Sequence, residues 1–331
     1  MEKKRDFALD ILRVLSCVMV FGVHLGQHVN IPGTLGAFFE KGSTGVSFFF
    51  ILSGFLSYYS LDRIFNNKQF EFGLVVNYWI KRAIHILPLY FLVIIFYFIF
   101  YSISNQVPAD PTGLYWIRYI FFINLWVPTD VVFWTNLGAV WSISAFVLFY
   151  LLAPFYYALV KKYYVSWIGV TLSYVVLKIS DAGEWNNIPI RYLFYFFLGI
   201  TIKLAIDEHK EFGITCLFAV SVIFFILTGS GTALAAPFMA ALYILGTRNI
   251  SSRIPESSIL YKAITLISTI SYSIYLDHAM IVNVLDHVVI KSGLVYIIIL
   301  VIGTLFLSVI TYNAIEVRLA RFLKSKLYGK H

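Results

Sequence analysis

Long apolar runs separated by short polar segments dominate this chain of 331 residues and constrain its fold more than any other feature. Apolar residues make up 60% of the sequence and charged residues only 13%, whereas soluble domains carry about 25% charged residues. A helix of about 20 apolar residues crosses a bilayer core with its backbone hydrogen bonds satisfied internally. We therefore predict an all-α, polytopic membrane protein that forms one integral-membrane domain over residues 1–331, with no separate soluble domain.

About ten of these runs are long enough to be transmembrane helices. They lie at about 7–28, 44–61, 84–103, 139–160, 164–180, 190–206, 212–228, 232–247, 263–285 and 294–315. A further apolar stretch, at about 114–126, is too short to cross. We predict a short re-entrant or interfacial helix there, within an external segment spanning 104–138. Most of the 25 Lys and Arg residues fall on the side that holds the N-terminus, so the positive-inside rule places both termini in the cytoplasm.

Charge and cysteine content exclude several classes of partner. The formal net charge of +8 does not indicate nucleic acid, because the basic residues lie at the ends of the membrane spans. Cys17 and Cys216 both lie in apolar runs, which argues against a disulfide framework and against a cysteine metal site. The first span follows basic residues, as a signal sequence does. It also contains two charged residues and has no small-residue cleavage pattern, so we expect it to be retained.

One face of the first span is polar. Arg13 and His24 are eleven residues apart, which is about three helical turns plus 20°, so their side chains share a face about 16 Å apart along the axis. Asp10, Cys17 and His28 fall within about 60° of the same direction. We call these five residues the polar stripe. Ionisable groups inside a membrane are costly and usually functional, so the polar stripe is the strongest candidate for a site.

His24 is the candidate general base of this stripe, because a neutral imidazole takes a proton from a hydroxyl near neutral pH. The alternative is a histidine that a neighbouring helix or the outer interface satisfies. Asp10 can pair with Arg13 at i, i+3 and lower the cost of burying both charges, although Arg13 could instead snorkel to the cytoplasmic surface. His24 and His28 have the spacing of a helical zinc pair, but no third ligand is near in sequence, so we predict no metal site.

A second cluster, Lys81, Arg82 and His85, lies at the cytoplasmic start of the third span. Arg82 and His85 share a face at i, i+3, and cationic side chains suit the phosphates of a cytoplasmic donor. Positive-inside anchoring alone is the alternative explanation for two basic residues. Glu316, at the cytoplasmic end of the last span, is expected to have a structural role as the partner of Arg13, Lys81 or the basic tail.

The third cluster lies inside the ninth span and consists of Tyr275, Asp277 and His278. Tyr275 and His278 are at i, i+3 and therefore share a helix face. Buried Asp and His side chains within a span suggest a site. Hydrogen bonds between packed helices are the alternative explanation for the same residues.

Six segments, in this order along the chain, resemble the motifs of the integral-membrane acyltransferase family 3. They are Asp10–Arg13 with His24, Gly45–Leu56, Lys81–Tyr90, Trp141–Ser144 with Phe149–Pro154, Phe196–Gly199 and Ile270–His278. Each motif alone is weak, whereas six at similar spacing over nearly the whole chain are specific. The chain resembles the carbohydrate O-acetyltransferase type of this family, in its stand-alone membrane form.

The resemblance implies a membrane-bound O-acyltransferase of the bacterial inner (cytoplasmic) membrane. It implies acetyl-CoA, or another acyl-CoA, as co-substrate, no permanently bound cofactor, and an acceptor hydroxyl on a surface glycan or lipid-linked saccharide. These molecules and the membrane lipids are the expected partners, and the sequence does not define an oligomeric state. The implied site residues are Asp10, Arg13 and His24 for catalysis, with His24 as base or acyl carrier; Lys81, Arg82 and His85 for the donor; and Trp141, Ser142, Tyr150, Tyr275, Asp277 and His278 for acceptor or support roles.

Three positions depart from the family pattern. His85 stands where a second arginine is usual in the donor motif, Phe146 stands where a glutamate is common, and Val317 stands where a proline is frequent. An inactive family member is therefore one alternative. A polytopic transporter or lipid-glycan flippase is the main one, because buried charges in a helical bundle also suit transport. Consumption of a thioester separates the enzyme from the transporter.

Overall fold

The computed structural model describes residues 6–65, 68–104, 115–126, 139–181, 188–228, 241, 244–247, 253–288 and 293–329. Within these residues the regular structure is entirely helical, which confirms the predicted all-α class. The α-helices are α1 (Phe7–His28), α2 (Gly33–Glu40), α3 (Thr44–Phe65), α4 (Phe72–Ile103), α5 (Tyr115–Ile120), α6 (Trp141–Leu159), α7 (Tyr163–Asp181), α8 (Leu193–Asp207), α9 (Glu211–Thr228), α10 (Ile259–Thr269), α11 (Ser271–Asp286), α12 (Gly293–Thr311) and α13 (Ala320–Tyr328). A 3₁₀ turn, Pro189–Tyr192, precedes α8, and a π-helix, Tyr312–Leu319, joins α12 to α13.

Several of these helices are long and apolar enough to cross a bilayer, so the chain is a polytopic membrane protein. Six described segments meet this requirement on their own: Phe7–His28, Thr44–Phe65, Phe72–Ile103, Trp141–Leu159, Pro189–Asp207 and Gly293–Tyr328. The bent pair α10–α11 makes a seventh if it is one span. The predicted spans 164–180 and 212–228 are helices α7 and α9, outside those six, and most of 232–247 lies outside the described residues. The count of ten stays a prediction.

The predicted ninth span, 263–285, is not one continuous helix. Helices α10 and α11 meet at Ile270 and are bent by 69° to each other. The residues before the bend carry hydroxyls: Ser268 donates to a carboxylate on α1, and Thr269 donates to the carbonyl of Thr265 at 2.6 Å. Such side-chain hydrogen bonds compete with the helical ladder and bend helices. The break therefore lies where α10 contacts the polar stripe of α1.

The short apolar stretch at 114–126 contains one short helix, α5. Its six residues span about 9 Å, far less than a bilayer core. Tyr90 of α4 donates to the carbonyl of Tyr119 at 2.6 Å, and Ser144 of α6 donates to Asn124. The segment is thus held against α4 and α6. Residues 105–114 and 127–138 of the predicted external segment lie outside the described residues.

Glycines bring α3 into close contact with its neighbours α1 and α8. A Cβ at Gly54 would lie 2.0 Å from the carbonyl oxygen of Phe196, and a Cβ at Gly199 would lie 2.0 Å from that of Ile51. At the crossing with α1, a Cβ at Gly45 would lie 2.7 Å from the carbonyl oxygen of Ser16. Small residues let membrane helices pack backbone to backbone. This packing explains the glycines at positions 45, 54 and 199.

Candidate functional site

A cavity of about 220 Å³ lies between α1, α3, α4, α6 and α11. Cationic, titratable and phenolic side chains share its wall with apolar ones, which is typical of a binding site. We call it the central cavity. Its wall contains five of the side chains singled out from the sequence: Arg13, Arg82, His85, Tyr150 and Tyr275.

Asp10 and Arg13 form an ion pair at the N-terminal end of the polar stripe. Arg13 Nη1 donates to Asp10 Oδ1 at 2.9 Å, and Ser268 Oγ donates to the same oxygen at 2.6 Å. The Asp10 side chain is 1% exposed, whereas that of Arg13 is 26% exposed. Asp10 therefore holds Arg13 in place and does not itself reach the central cavity. Arg13 lines the cavity, so it does not simply snorkel to the surface.

Arg82 lies between two tyrosine rings. Its guanidinium carbon is 5.1 Å from the ring centroids of both Tyr78 and Tyr150. Tyr78 is itself fixed by a 3.0 Å hydrogen bond that its hydroxyl donates to Ser57. Guanidinium groups stack on aromatic faces in a way that ammonium groups do not. The aromatic contacts thus set the plane of the guanidinium at the cavity wall.

The three members of the predicted donor cluster do not share one location. Arg82 and His85 line the central cavity, whereas Lys81 is exposed and lies off its wall. In a helix, residue 81 points about 100° away from residue 82, toward the surface. Lys81 therefore fits the alternative of cytoplasmic anchoring better than direct contact with a ligand in the cavity.

Glu316 pairs differently from the sequence-based expectation. Instead of Arg13, Lys81 or the basic tail, its carboxylate contacts Ser273, which donates to Oε1 at 2.6 Å, and His85, whose Nδ1 is 3.6 Å from Oε2. The side chain of Glu316 is 4% exposed and belongs to the π-helix. The widened turn of a π-helix re-aims its side chains and frequently marks a functional site. Sequence analysis missed Glu316 as a site residue because that turn has no local sequence pattern.

His24 does not line the central cavity; it lies next to His278 instead. Its ring centroid is 5.2 Å from that of His278, which is buried on α11. The ring of Tyr275 lines the cavity and is 6.0 Å from the ring of His278. The predicted residues therefore form two groups: those that line the central cavity, and the histidine pair of His24 and His278. Tyr275 lines the cavity and also lies next to His278.

Comparison with known proteins assigns this arrangement to a family. The acyltransferase domain model of family 3 matches residues 6–313. The chain belongs to the acyltransferase 3 family. It is 28% identical over 165 residues to the acyltransferase MdmB of Streptomyces mycarofaciens, a match that covers 47% of this chain and 40% of that relative's length. No solved structure gives a significant match.

In this member of the family, Tyr275 is joined to α6 by a hydrogen bond. The hydroxyls of Tyr275 and Ser142 are 2.8 Å apart, and Ser142 also donates to the carbonyl of Ala139 at 3.1 Å. Trp141, the neighbouring residue, packs against Tyr192 at 5.0 Å between ring centroids and lies off the cavity wall. Ser142 thus positions Tyr275, and Trp141 packs against the 3₁₀ turn that precedes α8.

Asp277 faces α12 and not the histidine pair. Its side chain is completely buried, and Thr311 of α12 donates to Oδ2 at 2.6 Å. A hydrogen bond between packed helices was the alternative explanation for the cluster of Tyr275, Asp277 and His278, and the contact of Asp277 with Thr311 is such a bond. Asp277 therefore fits the role of support for α11 better than that of a ligand contact.

Phe146 lies in an aromatic cluster. Its ring is 5.0 Å from that of Phe50 and 5.4 Å from that of Phe196, and it also lines the central cavity. A glutamate here would face apolar rings and would need a partner to avoid a large desolvation cost. The departure at residue 146 is accommodated by local packing, and the buried acid near the cavity is Glu316 instead.

Proposed function

We propose that this acyltransferase moves an acyl group, with acetyl as the first candidate, from cytoplasmic acyl-CoA to a hydroxyl of a surface or lipid-linked glycan. The observation that carries the proposal is the central cavity, where Arg13, Arg82 and His85 converge inside a membrane bundle. Cationic groups at one end of such a cavity suit the phosphates of CoA. Apolar and phenolic walls suit the less polar thioester arm.

The proposed orientation has the cavity's cationic end facing the cytoplasm, in a bacterial inner membrane. The distribution of Lys and Arg supports it, because Lys81 and Arg82 lie in the N-terminal part of α4 and the basic tail follows Glu316. On α1, Arg13 then lies in the cytoplasmic half and His24 lies toward the outside. Acyl-CoA is a cytoplasmic metabolite, so donor and acceptor approach from opposite ends of the polar stripe.

In the proposed reaction the acceptor O–H bond and the thioester C–S bond break, and an ester O–C bond forms. The hydroxyl proton ends on the sulfur of CoA, so atoms and charges balance without a further reactant. His24 takes that proton as general base. A transient acyl-histidine is the competing scheme. Arg13 stabilises negative charge on the donor side of the reaction.

Tyr275 lies between the donor cavity and His24 in this scheme. Its hydrogen bond to Ser142 holds the ring in the cavity wall. The ring is also 6.0 Å from that of His278, the neighbour of His24, so donor and base meet near this side chain in the proposed reaction.

Transfer of labelled acetyl groups tests the proposal. Purified protein in lipid nanodiscs is incubated with radiolabelled acetyl-CoA and a surface-glycan acceptor, and label is counted in the glycan. His24→Ala should remove at least about 99% of transfer, because general bases typically contribute 10²- to 10⁴-fold. His28→Ala is the matched control on the same helix, since His28 pairs with Asp286 at 3.3 Å, and it should stay active. Full transfer by His24→Ala, or transport of unmodified glycan with no thioester consumed, contradicts the proposal.

A further inference from the structure

The orientation of the buried His278 ring is fixed by one backbone hydrogen bond. His278 Nδ1 is 3.0 Å from the carbonyl oxygen of Ile274, one turn earlier on α11. A carbonyl only accepts hydrogen bonds, so Nδ1 carries the hydrogen and Nε2 of the neutral ring carries the lone pair. The residue is 1% exposed. The ring therefore presents a hydrogen-bond acceptor in the interior of the bundle.

This acceptor has no partner among the residues that the structure describes. Buried polar atoms in folded proteins are nearly always hydrogen-bonded, and an exception calls for a physical explanation. The surrounding rings are Phe21, at 6.2 Å between centroids, Tyr275 at 6.0 Å and His24 at 5.2 Å. Phe21 has no hydrogen to donate, and the hydroxyl of Tyr275 is paired with Ser142.

His24 lacks the hydrogen that would bond to His278 when both rings are neutral. Its Nδ1 is 3.2 Å from Gln27 Oε1, an acceptor, so the hydrogen of the neutral ring lies on Nδ1 and Nε2 is a second lone pair. Two lone pairs do not bond to each other. Protonation of His24 changes this, because both nitrogens of an imidazolium are donors. The 5.2 Å between ring centroids brings the two rings close enough for an N–H···N bond to form once both nitrogens of His24 carry hydrogen.

The charged groups nearby have other partners. Asp286 pairs with His28 at 3.3 Å, and Asp277 accepts from Thr311 on α12. Tyr296 of α12 stacks on His28 with 5.0 Å between centroids. Among the described residues, neither carboxylate is hydrogen-bonded to the ring of His24 or of His278. The unpaired acceptor next to the ring of His24 is therefore the neutral imidazole of His278.

We propose that His278 is the positioning residue of the acyl transfer, and that its Nε2 accepts a hydrogen bond from His24 only after His24 has taken the proton of the acceptor hydroxyl. The proposal rests on the proposed function, in which His24 is the base. A base that is oriented by a third group is the general arrangement for activating a hydroxyl. A neutral acceptor stabilises the imidazolium selectively and adds no permanent charge to the membrane interior.

Three variants in nanodiscs test this role with labelled acetyl-CoA and the glycan acceptor. His278→Leu removes the acceptor nitrogen, His278→Gln supplies an amide oxygen in its place, and His24→Ala/His278→Leu asks whether the two residues act together. His287→Leu is the matched control, because its Nδ1 makes the same contact, 2.7 Å to the carbonyl of Asn283, on the same helix. Monodispersity in size-exclusion chromatography checks the fold of each variant.

The expected result is a loss of kcat of at least about tenfold in His278→Leu, with the KM for acetyl-CoA unchanged, and partial recovery in His278→Gln. In the His24→Ala background the second substitution should cost nothing further, because the interaction is already gone. His287→Leu should keep the wild-type kcat. Wild-type kcat in His278→Leu, or equal losses in the Leu and Gln variants, overturns the positioning role. Absence of transfer by the wild-type protein instead overturns the proposed function.

Discussion

The imidazole of His85 on α4 faces the carboxylate of Glu316 on the π-helix, with 3.6 Å between Nδ1 and Oε2. This contact gives a physical meaning to a departure from the family pattern. A second permanent cation is usual at residue 85, whereas here a titratable ring stands beside a buried acid. The pair joins the wall of the central cavity to the last membrane-spanning segment, and its partners are far apart in sequence.

The first prediction concerns Glu316. Glu316→Gln replaces the carboxyl group that faces His85 and is expected to lower acyl transfer about tenfold, which is about 1.4 kcal/mol of transition-state stabilisation. Initial rates with saturating acceptor measure the effect. Glu71→Gln, at an exposed position just before α4, should leave the rate unchanged. Equal rates for wild type and Glu316→Gln would show that the carboxylate serves packing alone.

The second prediction separates Arg82 from Lys81. Arg82→Lys keeps the charge but loses the planar group that stacks on Tyr78 and Tyr150. The KM for acetyl-CoA should rise about tenfold, with a smaller change in kcat, because uniform binding of the donor is lost. Lys81→Arg and Lys81→Gln should both behave as wild type. A larger effect at Lys81 than at Arg82 would place the donor phosphates outside the central cavity.

The third prediction concerns stability at the start of the polar stripe. Asp10→Ala leaves Arg13 half-buried without its carboxylate, and breaking a buried pair from one side costs about 3–5 kcal/mol. The unfolding temperature in detergent should fall clearly. Asp10→Ala/Arg13→Ala should be more stable than Asp10→Ala, because it removes the uncompensated charge as well. Additive losses in the double variant are the result that contradicts this account.

The fourth prediction concerns the crossing of α3 with α8. In Gly199→Ala the new Cβ meets the carbonyl of Ile51 at 2.0 Å, so the helices must separate. Overpacking costs about 1–3 kcal/mol and occasionally more, and the unfolding temperature should drop. Gly26→Ala is the control, because nothing lies within 4 Å of a Cβ there, and the variant should be at least as stable as wild type. Similar unfolding temperatures for the two variants would rule out the close crossing.

The fifth prediction tests the proposed orientation. Single cysteines replace Lys41, between α2 and α3, or Lys161, between α6 and α7, in a Cys216→Ser background, since Cys17 is buried. Both lysines are exposed. A membrane-impermeant maleimide added to intact spheroplasts should label residue 41 and leave residue 161 unlabelled until the membrane is opened. The reverse pattern would invert the topology and place the donor end of the cavity outside.

The sequence alone determined the all-α membrane class, the family and the set of residues that share the polar face of α1. Helical periodicity is local, so the grouping of Asp10 with Arg13 and the exclusion of 114–126 as a span followed from spacing and length. The six motifs carried the resemblance that the family match confirms. The catalytic, donor and acceptor roles, as well as the count of ten spans, stay predictions.

Only the tertiary structure decided which of these residues meet. Arg13, Arg82 and His85 line one cavity, whereas Lys81 is exposed and lies off its wall. Asp277 bonds to α12, and the ring of His24 lies next to that of His278. The ninth span is broken at Ile270, and Glu316 contacts His85. Contacts between helices that are distant in sequence depend on where glycines allow a close crossing. They also depend on where hydroxyl side chains bend a helix and where a π-helix turn changes the direction of its side chains. None of these effects has a periodic sequence pattern, so spacing along one helix cannot supply them.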